Sequence, residues 1–95
     1  MVKNAVKKYV LRLYVSGSTL KSARAVANIK RVCERHLKNE YQLEVVDIYQ
    51  QPHLAKEDQI LAAPTLIKCS PLPRRRIVGD FLKPEEALLK LGLEF

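Results

Sequence analysis

Cysteine is scarce in this 95-residue chain, and its two copies, Cys33 and Cys69, stand far apart. No C-x-x-C occurs, so disulfide exchange lacks the low-pKa thiolate and adjacent resolving thiol that it requires. The spacing does not suit a metal site either, which leaves two reduced, partly buried thiols of a cytoplasmic protein as the expectation. Neither G-x-x-x-x-G-K-[ST] nor G-x-G-x-x-G is present, so a glycine loop that cradles phosphate is excluded. No apolar run approaches the roughly 18 residues of a membrane span. The start, Met1 to Lys8, is basic but leads into no apolar h-region, so a secretory signal is not expected. The most lopsided shortage is of acid. Residues 1–38 hold Glu34 alone against ten Lys and Arg, whereas residues 39–95 hold nine acids against seven bases. The net charge of +7 therefore sits in the first part of the chain and implies an anionic partner surface: nucleic acid, membrane or acidic protein.

What is present reads as one domain, residues 1–95, of alternating elements. Tyr9 to Val15 is nearly continuous in β-formers, as in a central strand, with Arg12 expected at a sheet edge or end. Gly17 turns the chain, and Ser18 or Thr19 caps a helix running to His36 or Leu37. At about 100° per residue, Ala23, Val26, Ile29, Cys33 and Leu37 share one face of that helix. Lys21, Arg24, Arg31, Arg35 and Lys38 form a basic stripe opposite. Tyr41 to Ile48 alternates like a strand with one wet face. Pro52 opens a short helix expected to reach Leu61, which Pro64 stops. Thr65–Cys69 and Arg74–Val78 are strands about a turn at Ser70-Pro71-Leu72-Pro73. Pro84-Glu85-Glu86 starts a last helix, with Gly92 as its C-terminal cap. The order is βαβαββα, an α/β fold.

Candidate sites have plain readings beside them. His36 and His53 lie on different elements and suit surface or capping roles. Asp47, Glu57 and Asp58 lack a pocket partner in sequence and suit solvated acids. Ser16, Ser18 and Thr19 at a helix start could hold a small anion, but capping explains them. In a strand, Arg74 and Arg76 share one face and Arg75 takes the other, so the arginine run is not one patch. No cofactor is implied.

The turn Ser16-Gly17-Ser18-Thr19, and Ala62-Ala63-Pro64-Thr65-Leu66 before the third strand, resemble a thioredoxin-like framework from which the two active-site cysteines are missing. A closer resemblance lies in Tyr9-Val10-Leu11-x-Leu13-Tyr14-Val15-x-Gly17 with Ser22-x-Arg24-Ala25. It continues in Gln51-Pro52-x-Leu54-Ala55-x-Glu57-Asp58-x-Ile60-Leu61-Ala62-x-Pro64-Thr65-Leu66 and Arg75-Arg76-Ile77-Val78-Gly79-Asp80. Together these are similar to the KaiB family of circadian clock proteins, over roughly residues 8–82.

That resemblance implies a thioredoxin-like fold with a mixed four-stranded sheet and helices on both faces. It implies a non-enzymatic regulator that docks on the hexameric ATPase KaiC. It also implies an alternative resting fold, tetrameric, in which the second half of the chain rearranges. The partner-facing residues it assigns are Gln51, Leu54 and Glu57, then Ala63, Pro64 and Thr65, then Lys68, Arg75 and Arg76. Pro64, Pro71, Pro73, Lys90 and Gly92 fall in the rearranging region, and its X-Pro bonds imply slow exchange. The family's further partners are KaiA and a KaiC-responsive histidine kinase. Glu44 stands where a basic residue is common on the strand that meets KaiA, which argues against a KaiA-like partner. The chain is expected to lack both the acidic tail of clock members and a following kinase segment. Lys90 and Gly92 stand where those members carry glycine and aspartate, so the expected free state is a thioredoxin-like monomer. A nucleic-acid binder using the basic helix face is the alternative, but single-stranded targets call for exposed aromatics. Tyr9 and Tyr14 are expected in the core instead. A redox enzyme using Cys33 or Cys69 is the third reading, opposed by the core-facing position of Cys33.

Overall fold

Alternation within the first strand decides how both faces of the sheet are filled. In β1 (Tyr9–Val15), Tyr9, Leu11, Leu13 and Val15 point to one side, and Tyr14 points to the other. Arg12 shares the Tyr14 side, so it faces a packed layer and not a sheet edge or end. The computed structural model describes residues 7–79 and 81–95. Residues 1–6 of the basic start, with Lys3, and the Asp80 of the expected Gly79-Asp80 break lie outside the described residues.

β1 is central. β2 (Tyr41–Asp47) runs parallel to it, with Tyr9 opposite Tyr41 and Val15 opposite Asp47. β3 (Thr65–Ser70) runs antiparallel on its other side, and β4 (Arg75–Val78) closes a hairpin with β3, giving the order β2-β1-β3-β4. A parallel neighbour needs a crossover, which α1 (Leu20–His36) supplies. α1 and α3 (Pro84–Lys90) bury Ile29, Val32, Leu88 and Leu91 against Leu11, Leu13 and Leu66. On the opposite face α2 (Pro52–Glu57) lays Leu54 and Ala55 over Tyr14, Val46 and Ile67. Each such aliphatic side chain contributes about 1.5–3 kcal/mol on burial. The thioredoxin-like βαβαββα fold, with helices on both faces, is thereby present.

Strand ends fall within a residue of the sequence reading, but one helix face and one helix end differ from it. The buried face of α1 is Ser22, Ala25, Ile29, Val32 and Cys33, while Ala23 is exposed and Val26 half-buried. Ser22 is drawn inward because its Oγ accepts the Ser16 backbone N–H at 3.0 Å, which turns the helix by about one residue. α2 stops at Glu57, not Leu61. Gln59 adopts a left-handed φ of 54°, and its N–H and that of Ile60 return to the carbonyls of Lys56 and Ala55 at 3.1 and 2.9 Å. This is a Schellman closure made without glycine. α3 ends in the same way at Gly92 (φ 91°), with Gly92 N–H on Leu89 and Leu93 N–H on Leu88. Near the start of α3, the His36 ring at the end of α1 stacks on Phe95 at 4.4 Å, and His36 Nε2 lies 3.6 Å from Glu85 Oε2.

Candidate interaction surface

The turn that would carry a dithiol in a redox protein is a capping device here. Thr19 Oγ1 accepts the Ser22 N–H at 3.2 Å, satisfying one orphan donor of the first turn. Cys33 is fully buried on the other side of α1, and burial, aided by Glu34, pushes its thiol up to about 12. Burial also raises the Cys69 thiol. Beside the turn, an open cleft of about 440 Å³ between α1 and β2 is walled by Val15, Ala23, Val26, Ala27 and Val45, with Gly17, Ser18 and Ser22 at its end. None of these residues titrates near neutral pH, so the cleft supplies no acid or base.

Chemistry concentrates instead under α2. Asp58, the C-cap of that helix, directs Oδ1 to Arg74 Nη2 at 2.6 Å and Oδ2 to Arg12 Nη1 at 3.1 Å. The Tyr14 hydroxyl shares its proton between Asp58 Oδ2 and the Leu54 carbonyl, 3.0 Å away. Arg12 Nε completes the chain on Glu44 at 2.9 Å. Burial would raise the Asp58 carboxyl, but the Tyr14 hydroxyl, Arg74 and Arg12 outweigh it and hold Asp58 below its ordinary value. Burial and the bond to Asp58 raise the Tyr14 phenol. The bond to Tyr14, and then Glu44, raise Arg12 against the opposing effect of burial. The network thus ties α2 to β1, β2 and the β3–β4 turn. Asp47 does separate work, accepting the Tyr49 N–H at 2.8 Å in a turn, and Glu57 and His53 are exposed.

The nine residues assigned to a partner divide by burial. Glu57, Arg75 and Arg76 are exposed, and Gln51, Leu54 and Ala63 are half-buried. Pro64 is buried, Thr65 is 1% exposed and Lys68 3%. Thr65 donates its hydroxyl to the Ala62 carbonyl at 2.6 Å. Lys68 shares the inward side of β3 with Leu66, and its Nζ lies 3.3 Å from where a Cβ at Gly92 would stand. These three side chains therefore support the turn and the strand from within and present nothing to a partner in this fold. Arg76 Nη1 donates to the Gln59 carbonyl at 3.1 Å. Arg74 and Arg76 both reach the α2 side, as strand alternation requires, and Arg75 points away.

Exposed apolar residues border this face. Leu61 is 98% exposed and Leu72 80%. Leu61 escaped the sequence reading because a helix extended to that position would have turned it inward. The left-handed Gln59 swings Ile60 into the core and Leu61 out, and no glycine announces that turn.

Residues 12–93 match the KaiB domain. The chain belongs to the KaiB family. A KaiB relative, the circadian clock oscillator protein KaiB of Prochlorococcus marinus subsp. pastoris, is 48% identical over 91 residues, which is 96% of this chain and 85% of the relative. Circadian clock protein KaiB3 of Synechocystis is 42% identical over 88 residues, covering 93% and 86% respectively. Among solved structures, the N-terminal domain of Synechococcus elongatus SasA superposes with a TM-score of 0.72 at 20% identity, over 100% of this chain and 94% of that one. Chloroplastic thioredoxin z gives 0.75 at 16% identity, over 94% and 82%. At these identities the two structures bear on the fold alone, and both place the KaiB-family chain on the thioredoxin-like framework. No described helix is long and apolar enough to cross a membrane.

Proposed function

We propose that this KaiB-family protein is a cytoplasmic, non-catalytic regulator that docks as a thioredoxin-like monomer on a KaiC-like hexameric ATPase. The surface is the edge where the end of α2 meets β4: Glu57 and Leu61 beside Arg76, with Gln51, Leu54 and Ala63 shaping its floor and Arg75 on the other face of the same edge strand. The observation that carries this reading is a nearly fully exposed Leu61 on the side of the exposed Arg76, whose guanidinium reaches the Gln59 carbonyl two residues before it. An apolar anchor ringed by charge is how binding energy concentrates at protein interfaces. A non-catalytic role is supported by the capped serine and threonine turn and by the inaccessibility of Cys33. A KaiA-like partner is left out because Glu44 is an acid already engaged by Arg12.

The test is binding to a KaiC-like ATPase. Arg75→Glu should weaken association at least about tenfold, or 1.4 kcal/mol, since reversal adds repulsion to the lost contact. The thermal midpoint should hardly move, because exposed substitutions change stability by about 0.5 kcal/mol or less. Unchanged binding of Arg75→Glu and of Leu61→Glu would show that the surface lies elsewhere.

A further inference from the structure

The docking face does not use the strongest charge feature of the chain, the excess of base before residue 39. On α1, Lys21, Arg24, Arg31 and Arg35 are all exposed, and at about 100° per residue they fall within one arc. Their steps of three, seven and four residues make a single row some 21 Å long at about 1.5 Å per residue. Among the described residues, no carboxylate lies within 4 Å of any of these four side chains, and Arg31 bonds only the neutral Asn28 side chain, at 3.4 Å.

The borders of the row are acidic. Along the α3 side run Glu85 and Glu86. The Glu85 carboxyl is held below its ordinary value, first by its own backbone N–H and then by His36 and Arg35. Along the β2 side stands the exposed Glu34, which accepts the Tyr41 hydroxyl at 2.6 Å. A broad polyanion such as a duplex or an anionic bilayer would press phosphates against these carboxylates. The row has no exposed aromatic on which a base could stack. A narrow line of acid flanked by base has neither problem.

We propose that the outer face of α1 is a second docking surface, distinct from the α2–β4 face, for an acidic helix of a partner protein. Such a helix carries carboxylates at i, i+3, i+10 and i+14 and basic residues at its flanks, so that attractive and repulsive contacts together set its register. The surface should bind weakly and in a salt-dependent way, since its attraction is that of solvent-exposed charge.

The probe is a synthetic alanine-based helix with glutamates at that spacing and lysines beside them, set against a scrambled peptide of the same composition. At low salt, the patterned peptide should bind the intact protein about tenfold more tightly than the scrambled one. Arg31→Glu/Arg35→Glu should lose about tenfold, whereas the charge-matched Lys56→Glu/Lys83→Glu should lose less than about twofold. Lys21→Glu alone gives an independent reading on the same row and should also weaken binding. Equal binding of the two peptides, or equal losses in the two double variants, overturns the proposal. Tighter binding of a DNA duplex or of phosphatidylserine vesicles than of the patterned peptide, at matched salt, overturns it as well.

Discussion

Burial alone would push the Asp58 carboxyl upward, yet the Tyr14 hydroxyl, Arg74 and Arg12 hold it low. Asp58→Asn should cost about 1–3 kcal/mol at neutral pH, the range for hydrogen bonds to a buried charge. Because Arg74 is itself 45% exposed, its share is screened by solvent. A depressed carboxylate contributes stability above its unfolded value, near 3.9, and loses it as pH falls through the lower folded value. The difference between the two proteins in urea unfolding should therefore be full at pH 7 and shrink in that acid window. At Lys68 the burial of the side chain changes the meaning of a substitution. Lys68→Glu places a carboxylate in the core, so it should lower the thermal midpoint substantially instead of weakening partner binding selectively. At Cys33 the buried, high-pKa thiol predicts inertness. Insulin reduction with dithiothreitol should match the buffer blank, and turnover abolished by Cys33→Ser would contradict a non-catalytic role.

At the scale of elements, the helix ends show what the sequence makes legible. Gly92 is visible as a cap because glycine tolerates positive φ, and α3 closes there at 91°. Gly92→Ala should destabilise by about 1–2 kcal/mol through that φ, measured as a loss of thermal midpoint with native near-UV dichroism retained. Gln59 makes the same closure at the end of α2 with no residue type to announce it, so a helix extended to Leu61 was the natural expectation. The exposed anchor at Leu61 was hidden by that one misplaced boundary. Element order and the central position of β1 follow from composition and period, and Tyr9, Tyr14 and Cys33 are in the core as their patterns require. Lys68 fails for the opposite reason. Its charge argues for solvent, while its place in β3, with Leu66 on the same side, puts it under α3. The rotation of α1 was likewise invisible, because it depends on one contact between Ser16 and Ser22 across a turn.

The whole molecule turns on whether residues 84–91 remain helical. Pro84 stands in the first turn, Glu85 and Glu86 lie at the positive end of the helix dipole, and Lys90 Nζ reaches Glu86 Oε1 at 3.4 Å one turn later. Leu88 and Leu91 bury this helix beside α1, so unwinding it exposes core as well as breaking hydrogen bonds. A rearranged fold of the kind the family resemblance leads one to expect would have to convert this segment, and two folds of one sequence can differ by only a few kcal/mol. Glycine in a helix interior costs about 1 kcal/mol relative to alanine, and the exposed pair with Glu86 adds about 0.3–0.5 kcal/mol. Lys90→Gly should therefore move the population toward the rearranged state by a factor of roughly ten. Backbone NMR of residues 84–91, read with molecular size, tests both statements. The unaltered protein should show helical shifts in a monomer-sized species. Strand shifts in a tetramer-sized species would refute the thioredoxin-like monomer as the free state. A Lys90→Gly population displaced toward greater helicity would refute the propensity argument while leaving the fold itself intact.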